Sequence, residues 1–151
     1  MKKVLFVLTL VPFLFGCASK QDNNPKIKIQ RVNEGKMVVV NAKHMFDEAF
    51  SSKINSIYYI GDDTCSSCKQ LKPSLEAWCK ANYAYIYEIK YQDIDEEGFS
   101  YLQQATVGYY SWSENSSVPT VYFFMGGEVV MKGSSDNTMN ILTKYIEVVS
   151  E

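Results

Sequence analysis

Histidine is almost missing from this chain: His44 stands alone among 151 residues. Cysteine is scarce too, at four positions, 17, 65, 68 and 79. A structural zinc site takes four Cys or His ligands, usually as two pairs. So sparse a set leaves little room for one, and no metal and no cofactor is expected. Basic charge is not in excess. Lys and Arg number 15 against 17 Asp and Glu, for a formal charge of −2. No basic stripe marks a nucleic-acid surface, and no nucleic-acid partner is expected. A long apolar run is absent as well. Val4 to Phe15 is twelve residues broken only by Thr9 and Pro12, where a membrane span needs ~20. There are no internal repeats, and the length suits one compact domain.

The beginning of the chain has the layout of an export signal. Met1-Lys2-Lys3 is a basic n-region and Val4 to Phe15 an h-region. Leu14-Phe15-Gly16-Cys17 then resembles the bacterial lipobox, in which the Cys is lipidated and becomes the first residue of the mature protein. An ordinary cleaved signal peptide or an uncleaved anchor is the alternative. Residues 1–17 are therefore read as a lipoprotein signal peptide ending at Cys17. The implied location is the extracytoplasmic side of a bacterial cell membrane, held by lipid. Acyl chains anchor stably when there are two or more, since each buried CH₂ contributes ~0.8 kcal/mol. Residues 18–35 read as tether and lead-in, because Ser19 to Pro25 carries no large apolar side chain. Residues 36–151 read as the domain. Loss of Lys2 and Lys3 takes the charge from −2 to −4.

The chemistry lies at Cys65-Ser66-Ser67-Cys68, between an apolar run and a helix-like run. Two thiols at this spacing close a small, reversible disulfide. A helix N-terminus stabilises a thiolate on the first of them. Outside the cytoplasm such a pair makes, breaks or reshuffles the disulfides of other proteins. A static disulfide is an alternative, but so short a loop constrains little of the unfolded chain. Zinc is another, and only Cys79 and His44 remain as further ligands. Cys79 falls about 20° from Cys68 around a helix but three turns along it. The two cannot bond while the helix is intact. Cys79 reads as a buried apolar residue, with a second functional thiol as the alternative. His44 reads as a surface residue.

Periodicity orders the elements. Lys36 to Val40 is a short strand, Asn41 to Phe50 a helix, and Ile57 to Ile60 a buried strand ending at Gly61. Cys68, Leu71, Leu75, Trp78 and Cys79 share one face of a helix from Cys65 to Asn82, with Pro73 inside it. Tyr83 to Tyr91 alternates as a strand and Ile94 to Val107 is a weak helix. Gly108 to Ser117 is a loop whose Tyr109, Tyr110 and Trp112 either line a groove or pack. Val118 to Phe124 and Glu128 to Lys132 are strands joined at Gly126-Gly127. A last helix, capped by Ser135, carries Met139, Leu142, Ile146 and Val149 inward. The expectation is an α/β fold, a central mixed sheet with helices on both faces. The thiols then sit at the carboxyl end of a strand, where open α/β sheets build their sites.

With these residues placed, the chain resembles the thioredoxin superfamily from Lys36 to Val149. Cys65-Ser66-Ser67-Cys68-Lys69 matches the redox motif, Pro73 the proline of the redox helix, and Val118-Pro119-Thr120 the cis-proline segment. Phe124, Gly126-Gly127-Glu128 and Gly133 match the hairpin that follows. Tyr59-Ile60-Gly61 and the long loop before Val118 look like the thioredoxin-like bacteriocin transport accessory proteins. The resemblance implies a thioredoxin-like fold with Cys65 as nucleophile and Cys68 as resolving thiol. Thr64, Val118, Pro119 and Thr120 would line the substrate. It implies partners in protein or peptide thiols and disulfides, and a membrane or soluble redox partner. Some positions depart from the pattern. Thr64 replaces the family's Trp, and Tyr59 its buried acid, which leaves the proton acceptor unidentified. Asp62 and Asp63 oppose a thiolate while Lys69 favours it. Two classes stay open: a thiol–disulfide oxidoreductase, and a thioredoxin-fold accessory protein assisting secretion or maturation of an exported peptide.

Overall fold

The computed structural model describes residues 26–108, 110–113 and 115–150. Cys17 and the segment read as a signal peptide lie outside them. The strands are β1 (Ile27–Gln30), β2 (Lys36–Val39), β3 (Ser56–Gly61), β4 (Tyr85–Lys90), β5 (Thr120–Met125), β6 (Glu128–Gly133) and β7 (Ile146–Val149). The helices are α1 (Ala42–His44), which runs on as a π-helical segment Met45–Ser51, then α2 (Ser66–Asn82), α3 (Glu96–Ala105) and α4 (Thr138–Tyr145).

Five strands form one sheet in the order β2-β4-β3-β5-β6. β2, β4 and β3 run parallel, and β5 and β6 are antiparallel. β3 lies at the centre, and all of its residues are buried. Alternation then divides the core. Ile57 and Tyr59 face α2 and α4, with Leu71, Leu75, Cys79 and Leu142. Tyr58 and Ile60 face α1, its π segment and α3, with Met45, Ala49 and Leu102. Helices thus cover both faces, as the alternation of elements requires.

α2 follows its sequence pattern closely. Cys68, Leu71, Leu75 and Cys79 are its buried residues, three and four apart, which puts them in one stripe against the sheet. Pro73 lies inside it and is exposed. α3 begins at a side-chain cap, with Asp95 Oδ1 accepting from the Gly98 N–H at 2.7 Å.

Five readings need correction. The lead-in is not all tether: β1 folds ahead of Lys36, with Ile27 and Ile29 at 1% and 5% exposure. It pairs in parallel with β7, Ile27 opposite Ile146 and Gln30 opposite Val149. The last helix accordingly ends at Tyr145, and its supposed final turn is β7. Ile146 and Val149 fit helical spacing, but the β-branched run pairs with β1 instead. That helix starts after Asn137, not Ser135. Asn137 Oδ1 accepts from the Ser134 N–H at 2.8 Å and closes the preceding turn. Tyr83 is not in β4 but ends α2 in the left-handed conformation, φ 54°. His44 is half-buried; its Nδ1 lies 2.8 Å from the Tyr58 hydroxyl, and its ring packs on Tyr87.

Candidate functional site

β3 ends at Gly61, where a Cβ would lie 2.1 Å from the Tyr59 hydroxyl. Only glycine lets the Tyr59 ring fold back over the strand end. The turn that follows is tied by Asp62, whose Oδ1 accepts from the Thr64 N–H and the Thr64 hydroxyl, each at 2.6 Å. The Thr64 hydroxyl is the main cause holding the Asp62 carboxyl below its usual range. Asp63 turns toward the end of β4, to Lys90 at 3.2 Å and Gln92 at 3.0 Å. Asp63 is thereby engaged away from Cys65, while the Asp62 carboxyl stays on the turn, where the Cys65 N–H also helps to lower it.

Cys65 is the N-cap of α2. Its extended backbone lets the sulfur fold back and accept the Cys68 N–H at 3.2 Å. This sulfur takes the place of the Ser or Asp oxygen usual at that position. Cys65, Cys68 and Cys79 are free thiols. The Cys68 thiol, donating to Cys65, is the largest cause holding Cys65 below its ordinary range. The Cys68 N–H and the Ser67 hydroxyl and N–H act in the same sense. Burial pushes the Cys68 thiol up, as its 3% exposure requires. One motif therefore holds a half-exposed sulfur whose pKa is lowered and a shielded one whose pKa is raised.

The Val118–Pro119 bond is cis. The Val118 carbonyl lies 3.7 Å from Cys65 Sγ, from a residue 53 positions along the chain. Pro119 is buried, and Thr120 is turned inward at 2% exposure with its hydroxyl donating to the Ser117 carbonyl at 2.6 Å. Of the residues read as lining substrate, Val118 and Pro119 thus lie by Cys65 and Thr64 is exposed one residue before it. Thr120 is buried, and its hydroxyl anchors the loop to the start of β5.

Trp112 is a core residue at 2% exposure, packed on Tyr91 and Tyr122. Tyr110 packs against the same cluster, and Tyr109 lies outside the described residues. The loop's aromatics that can be placed are therefore packing rather than groove. Cys79 is fully buried, and burial pushes its thiol up to about 11. Among the described residues no group of three or more His, Cys, Asp and Glu is placed to hold a metal ion. No described helix is long and apolar enough to cross a membrane.

Sequence reasoning missed one part of the site. Beside Cys68 lies a pocket of about 200 Å³, lined by Tyr59, Asp62, Asp63, Cys68, Lys72 and Glu88. Glu88 is 4% exposed and pairs with Lys72 of α2 at 2.6 Å. The signal was present in β4. Ala84, Ile86 and Glu88 share one parity, so a charge stands on the face that Ala84 and Ile86 bury.

No family model matches the chain, and no curated protein matches it in sequence. Solved structures do. Oxidised thioredoxin O1 from Arabidopsis thaliana superposes with a TM-score of 0.55 at 19% identity, over 74% of this chain and 99% of that one. A point mutant of the thioredoxin from Halobacterium salinarum gives 0.53 at 19%, over 76% and 94%. Thioredoxin f from spinach chloroplast gives 0.52 at 15%, over 73% and 91%. The domain has the thioredoxin fold.

Proposed function

We propose that the protein is a thiol–disulfide oxidoreductase working through Cys65 and Cys68, held by lipid on Cys17 at the extracytoplasmic side of a bacterial membrane. The observation that supports the chemistry best is the setting of the Cys65 sulfur. It is half-exposed at the start of α2, receives the Cys68 N–H, and lies beside the Val118 carbonyl of the cis Val118–Pro119 segment. A thiolate there attacks one sulfur of a protein or peptide disulfide. An S–S bond to Cys65 forms, the substrate S–S bond breaks, and the departing sulfur leaves as a thiolate. The substrate backbone lies along Val118 and Pro119, where Pro119 has no N–H of its own to satisfy. Cys68 then attacks Cys65, releasing the second substrate sulfur and closing the Cys65–Cys68 disulfide. A membrane or soluble dithiol partner returns the pair to its reduced form; the reverse sequence oxidises a substrate dithiol. No cofactor enters these steps.

The test is capture of the intermediate. Cys68→Ser should accumulate mixed disulfides with exported proteins, because nothing is left to resolve them, whereas Cys65→Ser should accumulate few. Equal capture by both variants, or capture by Cys65→Ser alone, would reject Cys65 as the attacking thiol.

A further inference from the structure

Cys68 is buried, and the resolving attack requires it to lose a proton that bulk water cannot readily collect. The position where a buried acid is expected, on β3, holds Tyr59. Around Cys68, Tyr59 comes from β3, Asp62 and Asp63 from the turn, Lys69 and Lys72 from α2, and Glu88 from β4. Asp62 and Asp63 are engaged with Thr64 and with Lys90 and Gln92, and Lys69 is a cation. Glu88 is the one buried carboxylate in this set. It stands in register with Tyr59 on the adjacent strand. Its Oε1 is held by Lys72 at 2.6 Å. The pocket of about 200 Å³ that Glu88 and Cys68 both line has room for water, which needs only ~15 Å³.

We propose that Glu88 takes the proton of Cys68 as Cys68 resolves the mixed disulfide, with the Tyr59 hydroxyl donating to the emerging thiolate and Lys72 holding Glu88 in place. In this step the Cys68 S–H bond breaks and the proton passes to the Glu88 carboxylate, directly or through a cavity water. The Cys68 electron pair forms the bond to Cys65, and the Cys65–substrate S–S bond breaks. The substrate sulfur leaves as a thiolate. Proton loss accompanies S–S bond formation, so no free Cys68 thiolate has to accumulate. Run backwards, Glu88 returns the proton to Cys68 as it leaves the disulfide. Burial above all holds the Tyr59 proton firmly, with Cys68 acting in the same sense, and the Tyr59 hydroxyl favours the Cys68 thiolate against the larger, opposing effect of burial. Glu88 is a general base toward Cys68, Tyr59 touches the reacting sulfur, and Lys72 is a positioning residue.

The inference rests on the oxidoreductase reading, and one assay separates the two. The full chain carrying Cys17→Ser, kept in detergent, is mixed in reduced form with a chromogenic aromatic disulfide. Cys65 releases the first aryl thiol, and resolution by Cys68 releases the second. A chain that releases only the first ends the oxidoreductase reading itself. If both are released, Glu88→Gln should leave the first phase unchanged and slow the second about a hundredfold near neutral pH, within the usual range for general bases. The gap should narrow in alkali, where hydroxide takes the proton. A purely electrostatic role predicts the opposite sign. Removing a negative charge beside Cys68, and freeing Lys72, would favour the thiolate and speed the second phase. A second phase as fast as the wild type, or faster, overturns the proposal. Tyr59→Phe should slow it about fivefold, as loss of one hydrogen bond to the sulfur. Should Glu88→Gln not fold, the wild type alone decides: heavy water should slow the second phase and spare the first, and equal slowing of both overturns the proposal.

Discussion

Three thiols of the same intrinsic chemistry lie on or at the start of one helix, and their surroundings separate them. Cys65 caps α2 and is half-exposed; Cys68 and Cys79 lie in its buried stripe. Iodoacetamide near neutral pH should therefore modify Cys65 of the reduced protein well before the other two, read by mass spectrometry of tryptic peptides. Earlier modification of Cys68 would invert the assignment of roles. Cys79 carries a prediction about stability. Burial raises its thiol to about 11, against ~8.5 in an unfolded chain. The folded state thus holds this proton more tightly. Its contribution is fully present below the unfolded value and is lost as pH rises toward the folded one. Cys79→Ala should flatten the alkaline fall in unfolding free energy by ~3 kcal/mol between these values. Urea titrations of both proteins across that range measure it, and parallel curves would contradict it.

At the scale of elements, two packing arrangements hold the site in shape. The first is the approach of the β1–β2 connection to the end of α2. A Cβ on Gly35 would stand 1.8 Å from the Cys79 carbonyl oxygen. Backbone cannot give way there as a side-chain tip can. Gly35→Ala should lower stability by about 3 kcal/mol, at the upper end for overpacking, seen as a lower denaturant midpoint with an unchanged slope. The second is the pairing of β1 with β7. Ile27 and Ile29 bury against Ile146 and Leu142 in the core under α2 and α4. Ile29→Ala should cost about 2–4 kcal/mol, although part 18–35 of the chain reads as a lead-in. A midpoint shift within error of zero would show that β1 adds nothing to the domain.

For the whole molecule, the proposed lipid anchor at Cys17 can be tested apart from the folded domain. Helix α2, the cis Val118–Pro119 segment and the pocket at Glu88 all belong to described residues, and Cys17 does not. A clickable fatty acid should label the wild type and not Cys17→Ser, with the variant lost from the lipid-modified fraction. Equal labelling would remove the anchor from the account. The thermal midpoint of the domain should be the same in both, and a shift would tie residue 17 to the folded domain.

The sequence by itself determined what local chemistry and periodicity can encode. Cys65-Ser66-Ser67-Cys68 opens a helix because the apolar stripe of Leu71, Leu75 and Cys79 begins there, and Gly126-Gly127 turns a hairpin because two apolar runs meet at a turn pair. These signals act over a few residues and survive without partners. Three things were decided only by tertiary structure. β1 and β7 form a two-stranded sheet, and each exists because the other supplies its hydrogen bonds from the opposite end of the chain. Val118 reaches Cys65 only because β5 lies antiparallel beside β3 in one register. Glu88 became part of the site only when α2 packed across β4 and brought Lys72 over it. A carboxylate in a strand says that it needs a partner; which partner, and which thiol it then serves, follows from how the helix lies on the sheet.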